Sequence, residues 1–292
     1  MNPAFGIAPP GFRLPDPSRV GALRLQVSDL DRSVHFYEAI LGFGVLERTP
    51  QGASLGARGD SEPLVRLHAP PGVRPAEGGA LGLYHFAVLL PHRAALGQLA
   101  RHLAAVRVRV GMADHLVSEA IYLSDPDGLG IEVYADRPRQ DWKHDGRELV
   151  MTTEPLDVRA LVAGAGEHPW QGLPPGTRIG HVHLHVGDLK DAEKFYHRAL
   201  GLDKVVWSYP GALFFSAGGY HHHLGTNTWG TGERPPDDTA RLLQWQMVLP
   251  DTESAAAVAV SLREAGYPVE ETGDGWVTTD PWGTALHIAR PG

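Results

Sequence analysis

The sequence predicts an α+β fold built from four βαβββ modules in two homologous halves. The first observation is an internal repeat, because DLDRSVHFYEAILG at 29–42 recurs as DLKDAEKFYHRALG at 188–201, a constant offset of 159 residues. The same offset places VLLP at 88–91 onto MVLP at 247–250, so the duplication covers most of the chain. Two homologous halves are the simplest organisation that accounts for these matches.

Each half divides again into two modules that begin with a strand and continue into a helix. RLQVSDL and HVHLHVGDL are typical of strands that end in an aspartate, Asp29 or Asp188, which can cap the following helix. Short strands and glycine turns follow, and the same order starts again at LYHFAVLLP and at LLQWQMVLP. We therefore expect modules at 21–70, 82–136, 178–230 and 241–290.

The segments outside these modules are predicted to be connections. Residues 1–20 are rich in proline and are expected to form an irregular arm. Residues 137–177 are expected to form a linker that wraps around the protein and contains one short helix at DVRALVAG. This division leaves an N-terminal domain at 21–136 and a C-terminal domain at 178–290.

Composition narrows the class of protein. A chain of 292 residues, 42% of them hydrophobic, can bury a core in each half. The net charge of −8 comes from interspersed acids, which argues against nucleic acid and membranes as partners. There is neither a signal-peptide pattern nor a run of roughly 18 apolar residues, so a cytoplasmic location is expected. Because the chain has no cysteine, a metal would need ligands from His, Asp and Glu.

The stretch GGYHHHLGTNTW at 218–229 contains three consecutive histidines. Its flanks predict a strand, and alternation would place His221 and His223 on one face and His222 on the other. The three side chains cannot then share one metal ion. The metal site is therefore expected elsewhere in the chain.

The pattern HxxLxVxDLxxAxxFYxxxLGF, followed later by DPxGxxxE, resembles the vicinal-oxygen-chelate superfamily of glyoxalase I, bleomycin-resistance proteins and extradiol dioxygenases. The resemblance covers nearly the whole chain and implies two tandem domains whose modules form open mixed-sheet barrels. The segments LYHFAVLLP, SEAIYLSDPDGLGIEVYADRP and GHVHLHVGDL look most like bacterial four-module catechol 2,3-dioxygenases of the catechol/hydroquinone group. Fold alone does not decide the function, because the superfamily also contains metal-free binders and isomerases.

Metal ligands in this superfamily come from the first strand of a module, seven residues before the DL pair, and from its last strand. The resemblance places the first-strand positions at Ala22, His85, His181 and Gln244, and the last-strand positions at Glu132 and His287.

How the modules pair decides which of these positions meet. If module 2 faces module 3, then His85, Glu132 and His181 meet and form the two-histidine, one-carboxylate face that leaves open positions on Fe(II). Modules 1 and 4 would then hold a degenerate site with Ala22, Gln244 and His287. Pairing within each half would leave both sites incomplete, so the pairing of module 2 with module 3 is favoured.

Two residues near Glu132 are expected to contact the substrate. Tyr122 lies ten residues before Glu132, across the SDPDG turn, so the two side chains are expected to face the same cavity. The resemblance implies that Tyr122 and His115 form hydrogen bonds with substrate oxygens. Alternation also places Glu132 among inward-facing apolar residues, where a buried carboxylate needs a cation.

The resemblance implies a second role for the histidine cluster. In the dioxygenases concerned, a histidine in the last strand of module 3 is an acid–base residue beside the O2 position. His223 is the best match and His221 the second, because an ordinary histidine exchanges protons near neutral pH. His222 is expected to point away, and Asn227 is a further candidate for the metal end of the cavity.

The resemblance implies an Fe(II)-dependent extradiol ring-cleaving dioxygenase, with Mn(II), Zn(II) or Ni(II) as alternative metals. Its partners would be a small aromatic diol, either a catechol or a hydroquinone, and O2. A glyoxalase-type isomerase or lyase is an alternative, although module 3 offers no second glutamate for its four-ligand site. A metal-free binder of antibiotics or other small molecules is another, although three retained ligand residues argue against it. Homo-oligomer formation stays open.

Overall fold

The computed structural model describes residues 5–290, so residues 1–4 of the predicted arm and residues 291–292 lie outside the described part of the chain. Each of the four modules has the order βαβββ, and the predicted α+β class is confirmed. The helices are α1 (Leu30–Phe36), α2 (Arg93–Ala105), α3 (Val158–Ala163), α4 (Leu189–Ala192) and α5 (Thr252–Glu264), with π-helical turns at Tyr37–Leu41 and Glu193–Ala199 and a 3₁₀ turn at Arg139–Asp141.

The strands follow in chain order. They are β1 (Arg19–Gln26), β2 (Gly44–Thr49), β3 (Gly52–Gly56), β4 (Pro63–His68), β5 (Gly82–Leu89), β6 (Gly111–Asp114), β7 (Ser118–Ser124), β8 (Gly130–Asp136), β9 (His144–Asp145), β10 (Glu148–Leu149), β11 (Arg178–His185), β12 (Asp203–Val206), β13 (Ala212–Ser216), β14 (Leu224–Asn227), β15 (Arg241–Val248), β16 (Val269–Thr272), β17 (Gly275–Thr279) and β18 (Ala285–Ala289).

Two eight-stranded sheets join modules from opposite halves of the chain. In one, β5 of module 2 pairs antiparallel with β11 of module 3, giving the order β12-β13-β14-β11-β5-β8-β7-β6. In the other, β1 of module 1 pairs with β15 of module 4, giving the order β16-β17-β18-β15-β1-β4-β3-β2. We call them the 2/3 sheet and the 1/4 sheet. The favoured pairing of module 2 with module 3 is therefore confirmed.

The aspartates that end the first strands cap the helices as predicted. The Asp29 carboxylate accepts a hydrogen bond from the backbone N–H of Arg32, and the Asp188 carboxylate accepts from Lys190 and Asp191. These bonds satisfy N–H groups that have no partner within the helix. The π-helical turn after α1 is followed by Gly42 at φ +81°, a left-handed conformation that favours glycine.

Apolar side chains from the strands and helices form a core that runs through both sheets. Burial of this surface is the main source of stability. The largest fully buried side chains include Trp245, Tyr37, Tyr134, Tyr196 and Phe43. On the curved inner face of the 2/3 sheet this pattern changes, because buried histidines and a glutamate stand where apolar residues are expected.

The linker lies against the 2/3 sheet and completes its interior. It contains the hairpin β9–β10 and helix α3, which packs against α2 and is capped by Asp157. Backbone hydrogen bonds between Glu154 and Asp114, 2.9 Å in both directions, attach the linker to the edge strand β6. No helix within residues 5–290 combines the length and the hydrophobicity needed to cross a membrane.

Candidate metal centre and active site

His85, Glu132 and His181 lie together on the inner face of the 2/3 sheet. They are carried by β5, β8 and β11, and β5 lies between the other two strands. Nε2 of each histidine lies 3.1 Å from Oε2 of Glu132. One potential ligand atom from each residue lies within 4.8 Å of the other two. The three side chains therefore form a group that could hold a metal ion.

Burial and the contacts among the three side chains together control the protonation of this group. The relative exposures of His85, Glu132 and His181 are 6%, 2% and 1%. Burial raises the pKa of Glu132, but the charges of His181 and His85 and the hydrogen bond with His181 outweigh it and lower that pKa well below its ordinary value. Burial lowers the pKa of His181 to about 4, against the opposing effect of Glu132. A carboxylate beside a neutral imidazole is the state that binds metals at neutral pH.

The three residues fit a divalent transition metal. Nε2 of His85 is buried and has no hydrogen-bond partner within residues 5–290, although the Glu132 carboxylate is close. Leaving such a polar atom without a partner costs about 1–3 kcal/mol, and metal ligation would remove that cost. Two imidazole nitrogens and one carboxylate match the ligand set of non-haem Fe(II) sites and leave positions for other ligands.

The corresponding place in the 1/4 sheet has no such ligand set. Ala22 stands where His181 stands in the other sheet and offers no side-chain donor. His287 corresponds to Glu132, and its Nδ1 accepts a hydrogen bond of 3.0 Å from the Gln246 side chain. The amide of Gln246 also accepts from the backbone N–H of Ala22 at 3.0 Å. The glutamine that contacts His287 is thus Gln246, two residues beyond the expected Gln244.

The group of His85, Glu132 and His181 borders a cavity of about 510 Å³. This volume lies within the roughly 300–1,000 Å³ that is typical of small-molecule sites and can admit a single aromatic ring with substituents. Tyr84 and Trp229 are 42% and 48% exposed, so they mark the opening of the cavity. No lysine or arginine lines it among the residues that the structure describes. The apolar and aromatic wall consists of Met112, Ala113, Met151, Tyr209, Phe214 and Trp229.

Tyr122 and His115 both line the cavity. Tyr122 lies directly opposite Glu132 in the antiparallel pair of β7 and β8. Its hydroxyl is 2.6 Å from Nε2 of His115, and Nδ1 of His115 is 2.6 Å from the carbonyl oxygen of Thr152. A carbonyl can only accept, so Nδ1 donates to it and Nε2 accepts from the tyrosine. Burial, assisted by the charge of Glu132, raises the pKa of Tyr122 well above its ordinary value.

The three consecutive histidines precede a strand and do not belong to it. Strand β14 begins at Leu224, and the histidines follow a turn in which Gly218 and Gly219 have φ values of +62° and +66°. Strand alternation therefore does not apply to them. His222 lines the cavity, with its ring centroid 4.0 Å from that of His181. The expectation that His222 points away is wrong.

The other two histidines of the cluster lie behind the cavity wall. Nδ1 of His223 accepts a hydrogen bond of 3.1 Å from the backbone N–H of Ala217, and the ring packs on Tyr220. Burial lowers the pKa of His223 to about 3, which does not suit proton exchange near neutral pH. His223 is absent from the lining of the cavity beside His85, Glu132 and His181, and its acid–base role stays a prediction. His221 is fully buried, does not line the cavity, and contacts Asp136 instead.

Asn227 holds two histidines of β11 in place and does not line the metal cavity. Its amide N–H donates to Nε2 of His183 at 2.9 Å, and its oxygen accepts from Nδ1 of His185 at 2.6 Å. His183 lines the cavity opposite His85 on the paired strand. The alternation in HVHLH, which places His181, His183 and His185 on one face, is the sequence signal for His183. The turn at Gly218 and Gly219, which orients His222, produces no comparable pattern in the sequence.

The sequence comparisons agree with this architecture. The model of the Glyoxalase/Bleomycin resistance protein/Dioxygenase superfamily matches both halves, at residues 19–133 and 178–288, and the chain belongs to that superfamily. Among its relatives is a Bacillus subtilis (strain 168) protein named catechol-2,3-dioxygenase. The two sequences are 45% identical over 269 residues, which cover 90% of this chain and 94% of the relative.

Solved structures share the fold at much lower sequence identity. A protein from Bacillus subtilis subsp. subtilis str. 168 superposes with a TM-score of 0.68 at 14% identity, covering 95% of this chain and 86% of that one. Glyoxalase I from Zea mays superposes with a TM-score of 0.58 at 20% identity, covering 94% and 92%. These likenesses show the fold and leave the reaction to be argued from the site.

Proposed function

We propose that the protein is an Fe(II)-dependent extradiol dioxygenase that cleaves the ring of a catechol or hydroquinone with O2. The observation that carries the proposal is the group of His85, Glu132 and His181 beside a largely apolar cavity that can admit a substituted aromatic ring. The relative named catechol-2,3-dioxygenase, 45% identical over nearly the full length of both chains, supports the same reaction. The cytoplasm is the proposed compartment.

Fe(II) held by His85, Glu132 and His181 would supply the Lewis-acid and redox chemistry that an aromatic diol and O2 require. The protein contributes binding and orientation. The wall of methionine and aromatic side chains excludes water and packs on the ring. Because the Tyr122 hydroxyl donates to His115, its oxygen is free to accept a hydrogen bond from a substrate hydroxyl.

The cavity favours an uncharged ring. Among residues 5–290, Glu132 is the only carboxylate that lines it, and neither lysine nor arginine does. A carboxylate substituent would lose its hydration without gaining a cationic partner, which is costly in a buried site. We therefore propose catechols or hydroquinones with neutral substituents as the substrate class.

The glyoxalase-type alternative is less well supported. Enzymes of that kind use a second glutamate as a fourth ligand, and within residues 5–290 the cavity lining offers only Glu132. A metal-free binder would leave the buried Nε2 of His85 without a partner. Both observations favour a metal with three protein ligands.

The test is reconstitution of the purified protein with Fe(II) under anaerobic conditions, followed by addition of air-saturated buffer and a diol. Catechol, 4-methylcatechol and methylhydroquinone should each be tried, with O2 uptake and the absorbance of the ring-opened product as readouts. Glu132→Gln should bind no iron and consume no O2. Absence of turnover with every diol, in protein that contains one iron per chain, would refute the proposal.

A further inference from the structure

A chain of hydrogen bonds runs from the end of β8 to the cavity wall. Nε2 of His221 lies 2.9 Å from Oδ1 of Asp136, and Nδ1 of His221 lies 2.7 Å from Nδ1 of His222. His221 is 0% exposed and His222 is 5% exposed, so water does not compete for these bonds. Hydrogen bonds in such an environment are strong and fix orientation.

The Asp136 carboxylate determines the direction of this chain. A carboxylate oxygen accepts, so Nε2 of His221 carries the proton that it donates. With this one proton on His221, its Nδ1 is unprotonated and accepts from the Nδ1–H of His222. Nε2 of His222 is left unprotonated. No hydrogen bond to that nitrogen occurs among the described residues, and His222 lines the cavity.

The position of Asp136 is itself fixed by its surroundings. Glu132, Tyr134 and Asp136 alternate along β8 and share one face, so the strand that carries the carboxylate ligand also carries the start of the chain. The Tyr220 hydroxyl donates to Oδ1 of Asp136 at 3.1 Å, and the Tyr134 hydroxyl lies 2.6 Å from that of Tyr220. Tyr134 reaches this place over Gly180, where a Cβ would lie 1.8 Å from its hydroxyl oxygen.

We propose that Asp136 is a positioning residue that acts through His221 on His222. It fixes the tautomer of His222 so that an unprotonated Nε2 is available in the cavity and accepts a hydrogen bond from a hydroxyl of the substrate. The identity of that substrate rests on the proposed function, whereas the tautomer does not depend on it. Each of the three consecutive histidines then has its own task, because His222 contacts the substrate, His221 orients His222, and His223 holds the turn.

The first experiment measures the tautomer directly. Nitrogen NMR of protein labelled with ¹⁵N-histidine and loaded with diamagnetic Zn(II) distinguishes protonated from unprotonated ring nitrogens, and His222→Gln assigns the signal. In the unmodified protein we expect His222 to carry its proton on Nδ1. A proton on Nε2 would overturn the proposal, whether or not the protein is a dioxygenase.

The second experiment separates positioning from structural support. Asp136→Leu removes the acceptor at similar volume, and we expect kcat of the Fe(II) enzyme with catechol to fall about 10-fold to 100-fold. Iron content should be unchanged and KM should change less than about 3-fold, because no ligand is altered and most of the cavity is intact. Asp136→Asn keeps an acceptor oxygen and should retain the His222 tautomer and most of kcat.

The matched control is Asp274→Leu. Asp274 lies 3.3 Å from Nε2 of His287, a similar carboxylate–histidine pair in the 1/4 sheet, and its replacement should leave kcat unchanged. Equal kcat in Asp136→Leu and the unmodified enzyme would overturn the proposal, as would loss of iron in proportion to activity. If no diol is turned over by any variant, the proposed function fails, and the tautomers of the unmodified protein and Asp136→Leu still decide the role of Asp136.

Discussion

Ala22 and His181 occupy corresponding positions on β1 and β11, seven residues before the aspartates that cap α1 and α4. Only His181 offers a ligand atom, and only the 2/3 sheet brings two histidines and a carboxylate together within the described residues. The two sheets therefore have equivalent positions for a metal site. Among the described residues, only those of the 2/3 sheet could bind a metal ion. The first prediction follows from this asymmetry.

We expect one metal ion per chain, bound in the 2/3 sheet. His181→Ala removes a ligand and should lower the affinity for Fe(II) or Zn(II) at least about 100-fold. Replacing a residue that only orients a ligand already lowers metal affinity by about 10-fold to 100-fold. His287→Ala, the matched change in the 1/4 sheet, should leave the affinity unchanged. Metal analysis after dialysis against a weak chelator measures both. Loss of metal in His287→Ala with retention in His181→Ala would place the metal in the other sheet.

The hydrogen bond between Tyr122 and His115 should make the two residues act as a unit. Tyr122→Phe removes the hydroxyl that faces Glu132, and we expect kcat with catechol to fall about 100-fold with iron retained. His115→Ala should have a smaller effect, and the double variant should be no worse than Tyr122→Phe, because coupled residues are not additive. Tyr267→Phe, which is remote from the cavity, serves as the control. Additive losses would show that the residues act independently.

Substrate charge should control selectivity. Because the described lining has no lysine or arginine, we expect kcat/KM for 3,4-dihydroxybenzoate to be at least about 100-fold below that for 4-methylcatechol. Met112→Arg places a guanidinium on the cavity wall and should narrow this ratio at least about 10-fold, whereas Met112→Leu should not. Steady-state O2 uptake provides the measurement. Comparable turnover of both diols by the unmodified enzyme would disprove the neutral-substrate proposal.

Asp125 should produce a measurable pH dependence of stability. Burial raises its pKa to about 6, although it accepts hydrogen bonds from the backbone of Asp127 and Leu129. The folded protein therefore binds this proton more tightly than the unfolded chain does. The free energy of unfolding due to this group is highest at low pH and falls as pH rises from about 4 to about 6.

Asp125→Asn removes that titration. Urea denaturation of the metal-free protein should show the variant gaining stability relative to the unmodified protein as pH rises through this interval. The substitution also alters the hydrogen bonds of Asp125. That change shifts the free energy of unfolding by the same amount at every pH and leaves its pH dependence unaltered. Parallel stability curves for the two proteins between pH 4 and pH 7 would contradict the expectation.

Much of the fold can be predicted from the sequence because the repeat and the period of the strands are strong local signals. Asp29 and Asp188 are found as helix caps, and the module order follows from them. The convergence of His85, Glu132 and His181 is also predictable, since each lies on a strand at a position defined by the module pattern.

The histidine cluster could not be predicted in the same way. Two successive glycines with positive φ, Gly218 and Gly219, turn the chain just before Tyr220 and the three histidines, so side-chain direction is set by the turn and not by alternation. The part played by Asp136 depends on contacts between segments far apart in the sequence. Met151 reaches the cavity wall only because the linker is attached to the edge of the sheet. Long-range packing decides such features, and a single sequence does not encode them as a pattern.

The pairing of β5 with β11 also has a consequence for how the protein matures. These strands belong to different halves and are separated by the linker at 137–177, and contacts of such long sequence separation form slowly during folding. His85 and Glu132 leave the ribosome well before His181, so a nascent N-terminal half presents only part of the ligand set. Capture of a metal ion by this group would thus be a late event in biogenesis, because the three side chains come together only after the two halves have docked.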